Sequence, residues 1–303
     1  KIKLELKFWR LRLINLKKIN PLNNEFLSEI GFTWHTDPDG SDYVADELVE
    51  VSEAQAEAYY NAVNELYDMF VAAAQHIIDN NLYHEVGIPF NLVNLVRESW
   101  ENDVHWHLYG RFDLAGGLDG KPIKLIEFNA DTPTAVFETA IIQWAALKFN
   151  RMDESAQFND LYDALKQNFK RLVTLDEETE SFNEHYEGAG FHTAFAYVDE
   201  VVFNDEEGVF FDGENYEYWF KLVPWEDIAI EEGELAIILK NIVQNQKAII
   251  LNPAYTLLFQ SKGILKILWD LYPNHPLLLQ ASDKPLAGKK CVKKPVFGRE
   301  GAN

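Results

Sequence analysis

The alternation of apolar and polar positions is clearest in the stretch LYGRFDLAGGLDGKPIKLIEFNADTPTAVFETAIIQW, residues 108–144. Apolar and polar residues alternate on both sides of a glycine-rich segment, Ala115 to Gly120, which predicts a β-hairpin. Asp131 and Pro133 predict the start of a helix, with Asp131 near its cap and Pro133 in its first turn. Five apolar residues then recur at helical spacing: Val136, Phe137, Ala140, Ile141 and Trp144.

The predicted hairpin carries four polar residues whose spacing brings them to one surface. Arg111 and Asp113 are two positions apart on the first strand, and Glu127 and Asn129 are two apart on the second, so each pair faces one way. Carboxylate and amide oxygens suit a hard cation such as Mg²⁺, and an adjacent guanidinium suits a phosphate. The pattern therefore suggests a metal–phosphate site, although strand pairs of this kind also occur in αβ proteins that bind no metal.

Apolar spacing and capping residues predict further elements along the chain. Ser52 begins a long helix with Gln55 at the position of a capping box, and Pro89 begins a helical segment toward Trp100. Other predicted helices cover 24–35 in part, 132–149, 158–175, 225–234 and 261–271. A solvated acidic run is predicted at 176–180. Predicted strands cover 191–202, 247–251 and 289–297, with a hairpin at Gly208 and Gly213.

Side chains that could bind a metal or act as a nucleophile are given structural interpretations. His105 and His107 lie on one face before the hairpin, and beside aromatic residues we expect them to be packed or solvent-facing rather than metal ligands. Cys291 precedes Val292 in a predicted strand, and we expect it to be a core residue. A single cysteine excludes an intramolecular disulfide and fits a reducing, cytoplasmic environment.

Composition and charge narrow the class of partner. The 303 residues include 27 basic and 49 acidic side chains, which gives a formal net charge of −22. This sign argues against an electrostatic nucleic-acid binder and against an anionic membrane surface. It is compatible with a cationic ligand such as a polyamine, although solubility alone also accounts for it. No apolar run approaches 18 residues and no signal-peptide pattern opens the chain, so no membrane span is predicted.

A second candidate for phosphate binding lies at the end of the printed sequence. Lys294 lies in a predicted strand, and the loop Gly298-Arg299-Glu300-Gly301 follows it. The loop offers a guanidinium and backbone N–H groups, and Lys294 adds an ammonium. The residue order is not that of a Walker A loop, so this segment alone is weak evidence for a nucleotide site.

Together these segments resemble the synthetase domain of the glutathionylspermidine synthase family, and most closely its stand-alone acid–amine ligase branch. The similar stretches are GRFDL, LIEFNADTPTAVFETAIIQW, WFKLVPWE, NPAYTLLFQSKGILKILWDLYPNHPLLL and KKPVFGREGAN. The resemblance implies an α+β, ATP-grasp-like fold with mixed or antiparallel sheets flanked by helices. It also implies an N-terminal extension at 1–23, a ligase domain at 24–303 with a preATP-grasp region at about 150–285, and an ATP-binding sheet that is incomplete after 303.

The resemblance further implies an ATP-dependent, Mg²⁺-dependent ligase that joins a peptide-like carboxylate to an amine through an acyl phosphate. In the family pattern Arg111 contacts the transferring phosphate, and Thr132 helps to hold the carboxylate substrate. The residues that match metal ligands, for a pair of Mg²⁺ ions, are Asp113, Glu127 and Asn129. The residues that match the ATP site are Arg111, Phe112, Asp113, Lys262, Lys294 and Gly301.

The chain also departs from the family pattern, which leaves a second hypothesis open. Asn252 stands where the family usually has Glu, and Tyr255 stands where it has Trp, so a charge role at this position is in doubt. Between about 170 and 191 the chain is shorter, without a strand and loop that supply acidic residues for the amine. The alternative is a nucleotide-binding, non-catalytic or ATPase-only protein on a degenerate ligase scaffold. The retained Arg111 and Glu127 favour the ligase.

Overall fold

Helices and strands alternate in the computed structural model, which describes residues 14–102, 104–157, 171–174 and 192–298. The helices in these ranges are α1 (Asn24–Glu29), α2 (Glu53–Asp79), α3 (Val93–Glu101), α4 (Gln143–Phe149), α5 (Trp225–Glu231), α6 (Gly233–Gln244), α7 (Thr256–Gln260) and α8 (Ile264–Leu271). A π-helical turn, Glu138–Ile142, leads directly into α4. Short 3-10 turns lie at Phe90–Leu92, Glu154–Ala156 and Val198–Glu200.

The described strands form antiparallel pairs and one parallel sheet. They are β1 (Asn15–Lys18), β2 (Glu47–Glu50), β3 (Arg111–Ala115), β4 (Lys124–Asn129), β5 (Arg171–Thr174), β6 (His192–Phe195), β7 (Val202–Asn204), β8 (Gly208–Phe211), β9 (Glu214–Tyr216), β10 (Tyr218–Phe220) and β11 (Ile249–Leu251). Strands β1–β2, β3–β4 and β7–β8–β9 pair antiparallel, whereas β11–β10–β5–β6 is a parallel sheet. The predicted α+β class with mixed sheets is confirmed.

Helix α2 supports the central hairpin, β3–β4. The helix begins with the predicted capping box, in which Ser52 Oγ accepts the backbone N–H of Gln55 and the Gln55 side chain accepts that of Ser52. Between the strands, Phe112 stacks on Phe128 with 3.8 Å between ring centroids, and Phe70 of α2 meets both rings edge-on. One face of the hairpin is therefore fixed to the core of the protein.

The hairpin contains a β-bulge that keeps both of its ends in phase with the core. Asp113 pairs with Glu127, but Leu114 pairs with Leu125, so Ile126 is the additional residue. At the turn, Gly116 and Gly117 adopt φ values of 84° and 83°, a left-handed conformation that favours glycine. The predicted glycine-rich hairpin is confirmed.

The other hairpin prediction, at Gly208 and Gly213, is also confirmed. Gly213 follows Asp212 between β8 and β9, and both have positive φ values, 78° and 50°. This combination matches the twist of the flanking strands in a two-residue turn.

Three predicted elements differ from the structure in the middle of the chain. The predicted helix 158–175 is wrong at Arg171–Thr174, which is β5 of the parallel sheet; the rest of that range and the acidic run 176–180 lie outside the described residues. The predicted strand 191–202 is interrupted by a 3-10 turn, because the Glu200 side chain accepts the Tyr197 backbone N–H. The acidic helical segment is two helices, α5 and α6.

The predicted strand 289–297 is wrong. Its residues are assigned no strand, and the segment instead attaches to the N-terminus of α8 through the Lys262 backbone N–H, which donates to Val296 O at 2.9 Å. Cys291 is exposed, so its prediction as a core residue is wrong as well. Without a neighbouring strand there is no sheet face to bury it. Arg299, Glu300 and Gly301 lie outside the described residues.

The helix predicted at 132–149 begins later than expected. Residues 132–135 form a loop, and Ala135 adopts a φ of 69° before the helical turns start. Asp131 does not cap this helix, and its actual partners are described below. By contrast, α1 and α3 lie where they were predicted, and the predicted helix 261–271 is represented by α8.

Residues 15–22, which precede α1, pack against α1 and against the helical turns that lead into α4. Strand β1 pairs with β2, and Leu22 is buried together with Phe32 and Phe137. The division of the chain at residue 23 remains a prediction. Within the described residues, every helix is too short or too polar to cross a bilayer.

Of the two histidines that precede the hairpin, His105 is buried, and His107 is partly exposed and packs against aromatic rings. His107 stacks on Tyr67, with ring centroids 5.7 Å apart, and its Nε2 donates to Tyr109 O at 3.0 Å. Burial lowers the pKa of both His105 and His107 to about 4. The prediction was that they are packed or solvent-facing, and the structure shows the first of these alternatives; both are neutral at pH 7.

These pKa values predict that acid destabilises the fold between pH 6.5 and 4. In that window the unfolded chain binds protons that the buried histidines do not, so the free energy of unfolding falls as the pH falls. From pH 7 to pH 5 we expect a loss of about 2 kcal/mol per histidine. Urea unfolding at both pH values measures it.

The variant His107→Phe removes one of the two titrating sites, so the loss in free energy of unfolding between pH 7 and pH 5 that the two histidines cause should fall by about half. His84→Asn is the matched control, because His84 is exposed. A pH dependence that is unaltered by His107→Phe would contradict the burial effect.

Candidate functional site

The polar face of the hairpin β3–β4 brings together the four side chains that the sequence placed there. Arg111 is the cross-strand partner of Asn129, and Asp113 is the partner of Glu127. Directly opposed residues on one face have Cβ atoms about 5 Å apart, so the four side chains share one small surface. The opposite face carries Phe112 and Phe128, which anchor the hairpin in the core. Because side chains alternate along the strands, the aromatic residues that anchor the hairpin face the core and the polar residues lie on the other face.

Glu127 lies at the centre of this surface between two lysines. Lys294 Nζ donates to Glu127 Oε2 at 2.7 Å, and Lys262 Nζ lies 3.7 Å from the same oxygen. Partial burial acts to raise the pKa of Glu127, but the two ammonium groups outweigh it and hold the pKa below its ordinary value. Glu127 is therefore ionised, with counter-charges supplied from two distant segments of the chain.

The segment that carries Lys294 crosses the open side of the hairpin. Lys294 also donates to Ile126 O at 3.4 Å, and Lys262 Nζ donates to Gly298 O at 2.8 Å. Val296 packs closely on Gly87: a Cβ added to this glycine would lie 2.6 Å from Val296 Cγ1. The structure thus brings both predicted lysines to the hairpin, whereas Gly301 lies outside the described residues.

Arg111 is held between two partners at the edge of the surface. Its Nε donates to Asp113 Oδ1 at 3.0 Å, and its Nη1 donates to Thr134 O and Oγ1 at 3.1 and 3.2 Å. Both side chains of the Arg111–Asp113 pair are 38% exposed, which leaves them accessible to a ligand. The guanidinium therefore connects the hairpin to the loop 132–135.

Asn129 is the fourth polar side chain of this surface, and its hydrogen-bonding capacity is not fully used. Its Nδ2 is buried and has no hydrogen-bond partner in the structure. Because amide orientation is assigned from hydrogen bonding, the same side chain can present either oxygen or nitrogen to a bound group. Two carboxylates and one amide oxygen fit a hard divalent cation, and three adjacent cationic side chains fit phosphate oxygens.

A metal site made only of histidine, cysteine and carboxylate side chains is absent from the described part of the chain, where no three such groups converge. The set Asp113, Glu127 and Asn129 contains two carboxylates and one amide, so it is of a different kind. Phe112 contributes its side chain to the core, which leaves its backbone for any nucleotide contact.

The loop after β4 is fixed by a buried ion pair that the sequence did not predict. Lys221 donates to Asp131 Oδ1, and both side chains are fully buried. Asp131 Oδ2 accepts the backbone N–H of Trp225 at 2.9 Å, and Lys221 Nζ lies 4.5 Å from the centre of the Trp225 ring. Burial raises the pKa of Asp131, and Lys221 opposes that rise. Asp131 therefore accepts a backbone N–H from the first turn of α5 and does not cap the helix that follows it in the sequence.

Asn252 and Gln260 complete this attachment. Asn252 Oδ1 accepts the backbone N–H groups of Leu108 and Tyr109 at 2.9 and 3.1 Å, and its Nδ2 donates to the carbonyls of Tyr109 and Asp131 at 2.8 and 3.0 Å. Gln260 Oε1 accepts the N–H of Ala130 at 2.8 Å and that of Asp131 at 3.2 Å. Asn252 is fully buried, so its departure from the family pattern has a structural role.

We call Asp131, Lys221, Asn252 and Gln260 the loop anchor. The anchor holds the start of the loop that carries Thr132, which is buried. Sequence reasoning missed Lys221 and Gln260, and it misjudged Asp131. The available signal was a charged residue inside the apolar run YWFKLVPW, since a lysine in a buried strand needs an acidic partner.

Comparison with known proteins shows which family the chain is related to. The model of the glutathionylspermidine synthase preATP-grasp family matches residues 14–303. A "Putative acid–amine ligase" from Haemophilus influenzae is 31% identical over 305 residues, covering 91% of this chain and 75% of the relative. A "Bifunctional glutathionylspermidine synthetase/amidase" from Escherichia coli is 26% identical over 326 residues, covering 95% of this chain and 51% of the relative.

A "Glutathionylspermidine synthase" from Crithidia fasciculata is 26% identical over 299 residues, covering 80% of this chain and 40% of the relative. The chain thus spans about half the length, or less, of these last two relatives, and three quarters of the Haemophilus protein. Because the family model matches nearly all of it, the chain belongs to the glutathionylspermidine synthase preATP-grasp family.

Proposed function

We propose that the protein is an ATP- and Mg²⁺-dependent ligase that forms an amide bond between a small-molecule carboxylate and an amine. The observation that carries this proposal is the hairpin face, where Glu127 lies among cationic groups beside Asp113 and Asn129. The names of the relatives, which are ligases and synthetases, support the same reaction class.

The chemistry requires charge neutralisation more than a protein nucleophile. A carboxylate is a poor acylating agent, and transfer of a phosphoryl group to it gives an acyl phosphate that an amine can attack. Arg111 would contact the transferring phosphate, and Lys262 and Lys294 would bind the other phosphate oxygens. Mg²⁺, when bound to Asp113, Glu127 and Asn129, would neutralise phosphate charge. Thr132 would hold the carboxylate substrate, and Gly301 would lie over the nucleotide.

The substrate classes in this proposal are a peptide-like acid and an amine, and a polyamine suits the negative charge of the chain. The Escherichia and Crithidia relatives are both named after glutathionylspermidine, and these names support the two classes. The single exposed cysteine supports the cytoplasm as the compartment. The second hypothesis, a degenerate nucleotide-binding scaffold, relied in part on Asn252 replacing a glutamate. That argument is weakened, because the Asn252 side chain makes four hydrogen bonds in the loop anchor.

The decisive test is the release of ADP from the protein in the presence of ATP, Mg²⁺ and a panel of carboxylate–amine pairs. Release should require both an acid and an amine. Glu127→Ala should lower it about 10²–10³-fold, because a ligand of the Mg²⁺ that would neutralise the phosphate charge is lost. Glu57→Ala, an exposed position on α2, is the matched control.

ADP release that is indifferent to every acid and amine tried would contradict the ligase proposal. Binding of ATP–Mg²⁺ without turnover would support the degenerate scaffold instead.

A second prediction concerns the ion pair of Lys294 with Glu127. Without nucleotide, Lys294 competes with a divalent cation for the Glu127 carboxylate. Lys294→Met should therefore tighten binding of Mn²⁺ alone by up to about fivefold, from the ~0.2–1 kcal/mol of a partly exposed ion pair. The same change should weaken ADP binding. Calorimetric titrations measure both affinities.

Lys266→Met is the control for this variant, because Lys266 pairs with Asp270 on α8. It should leave both affinities unaltered. Weaker Mn²⁺ binding by Lys294→Met would refute the competition.

A further inference from the structure

The loop 132–135 reaches the hairpin face through one residue that neither the family pattern nor the hairpin accounts for. Thr134 accepts two hydrogen bonds from Arg111 Nη1, one at its backbone oxygen at 3.1 Å and one at its hydroxyl oxygen at 3.2 Å. Asp113 accepts from Arg111 Nε on the other side at 3.0 Å. The orientation of the guanidinium is therefore set jointly by β3 and by the loop.

The backbone presents Thr134 to Arg111 at some cost. The next residue, Ala135, has a φ of 69°, which residues with a Cβ rarely adopt. Such conformations persist where the surrounding structure enforces them, and they cluster at functional sites. Here the enforcement is visible at the far end of the loop, because Thr139 Oγ1 and the Thr139 N–H donate to Ala135 O at 2.7 and 3.1 Å.

The near end of the loop is held as firmly. Asp131 is fixed by Lys221 and by the N–H of Trp225, and its backbone is fixed by Asn252 and Gln260. A four-residue span between two anchored ends leaves Thr134 little freedom, although it is exposed to solvent. An exposed residue held this rigidly can direct a flexible side chain such as that of Arg111.

We propose that Thr134 is a positioning residue that aims the Arg111 guanidinium at the terminal phosphate of a bound nucleoside triphosphate. This inference rests on the proposed function, because it takes Arg111 as the group that contacts the transferring phosphate. Since Thr132 lies in the same loop, the loop would join the side of the site that binds the carboxylate to the side that binds the phosphate. Thr134 acts only through Arg111 and touches no reacting atom.

The test compares a nucleoside triphosphate with the matching diphosphate, because only the former carries the phosphate that Arg111 would contact. Binding of AMP-PNP and of ADP, each with Mg²⁺, is measured by calorimetry on the full protein. In the wild type AMP-PNP should bind more tightly than ADP. Arg111→Met should remove most of this preference, which sets the largest effect that any positioning residue can have.

Thr134→Val keeps the shape and the backbone oxygen but removes the hydroxyl acceptor. We expect it to lower the preference for AMP-PNP about three- to tenfold while ADP affinity changes less than twofold. Thr134→Ser, which restores the hydroxyl, should recover the wild-type preference. Thr33→Val is the matched control, because Thr33 is an exposed threonine that lies outside the hairpin and outside the loop 132–135. It should leave the preference intact.

The double variant Arg111→Met/Thr134→Val separates positioning from a structural effect. If Thr134 acts through Arg111, adding Thr134→Val to Arg111→Met changes nothing further. Equal weakening of both nucleotides by Thr134→Val, or additive losses in the double variant, would overturn the proposal.

The outcomes also separate this inference from the proposed function. A wild type that binds neither nucleotide contradicts the proposed function and removes the basis of the positioning role. A preference for AMP-PNP that Arg111→Met lowers but Thr134→Val leaves unaltered overturns the positioning role alone.

Discussion

The buried ion pair between Lys221 and Asp131 is the interaction on which the arrangement of the site depends. Both side chains are removed from water, so each charge depends on the other and on nearby protein groups for compensation. Removing one partner of such a pair typically costs about 3–5 kcal/mol, because the other is left buried and uncompensated. The pair also connects β10, the first turn of α5 and the chain directly after β4. Loss of this pair would therefore disturb the position of the loop 132–135 and of the end of β4 that it follows.

Asn252 and Gln260 extend the same constraint through neutral groups. All four hydrogen bonds of the Asn252 side chain go to backbone atoms of two separate segments. A carboxylate at this position could accept from Leu108 and Tyr109, but it could not donate to the carbonyls of Tyr109 and Asp131 without binding a proton. The neutral amide therefore matches its surroundings, and the difference from the family pattern does not by itself argue for a lost activity.

The local parts of this architecture were predictable from the sequence, and the long-range parts were not. The hairpin, its polar face and the α2 capping box depend on residues a few positions apart, where periodicity and turn chemistry are informative. The loop anchor joins residues about ninety or more positions apart, for which a single sequence carries little signal. The same reason explains the errors at Asp131, which looks like a local cap, and at 289–297, whose apolar alternation has no partner strand.

The bulge at Ile126 has a consequence for how this hairpin can vary among related sequences. It divides the hairpin into an inner half, which carries Arg111, Asp113, Glu127 and Asn129, and an outer half that ends in the glycine turn. Insertions and deletions within the glycine turn change only the length of the tip. A single deletion on the inner side would turn every polar group on that strand toward the core. The bulge thus lies between the tip of the hairpin, whose length can vary, and an inner half whose length is fixed.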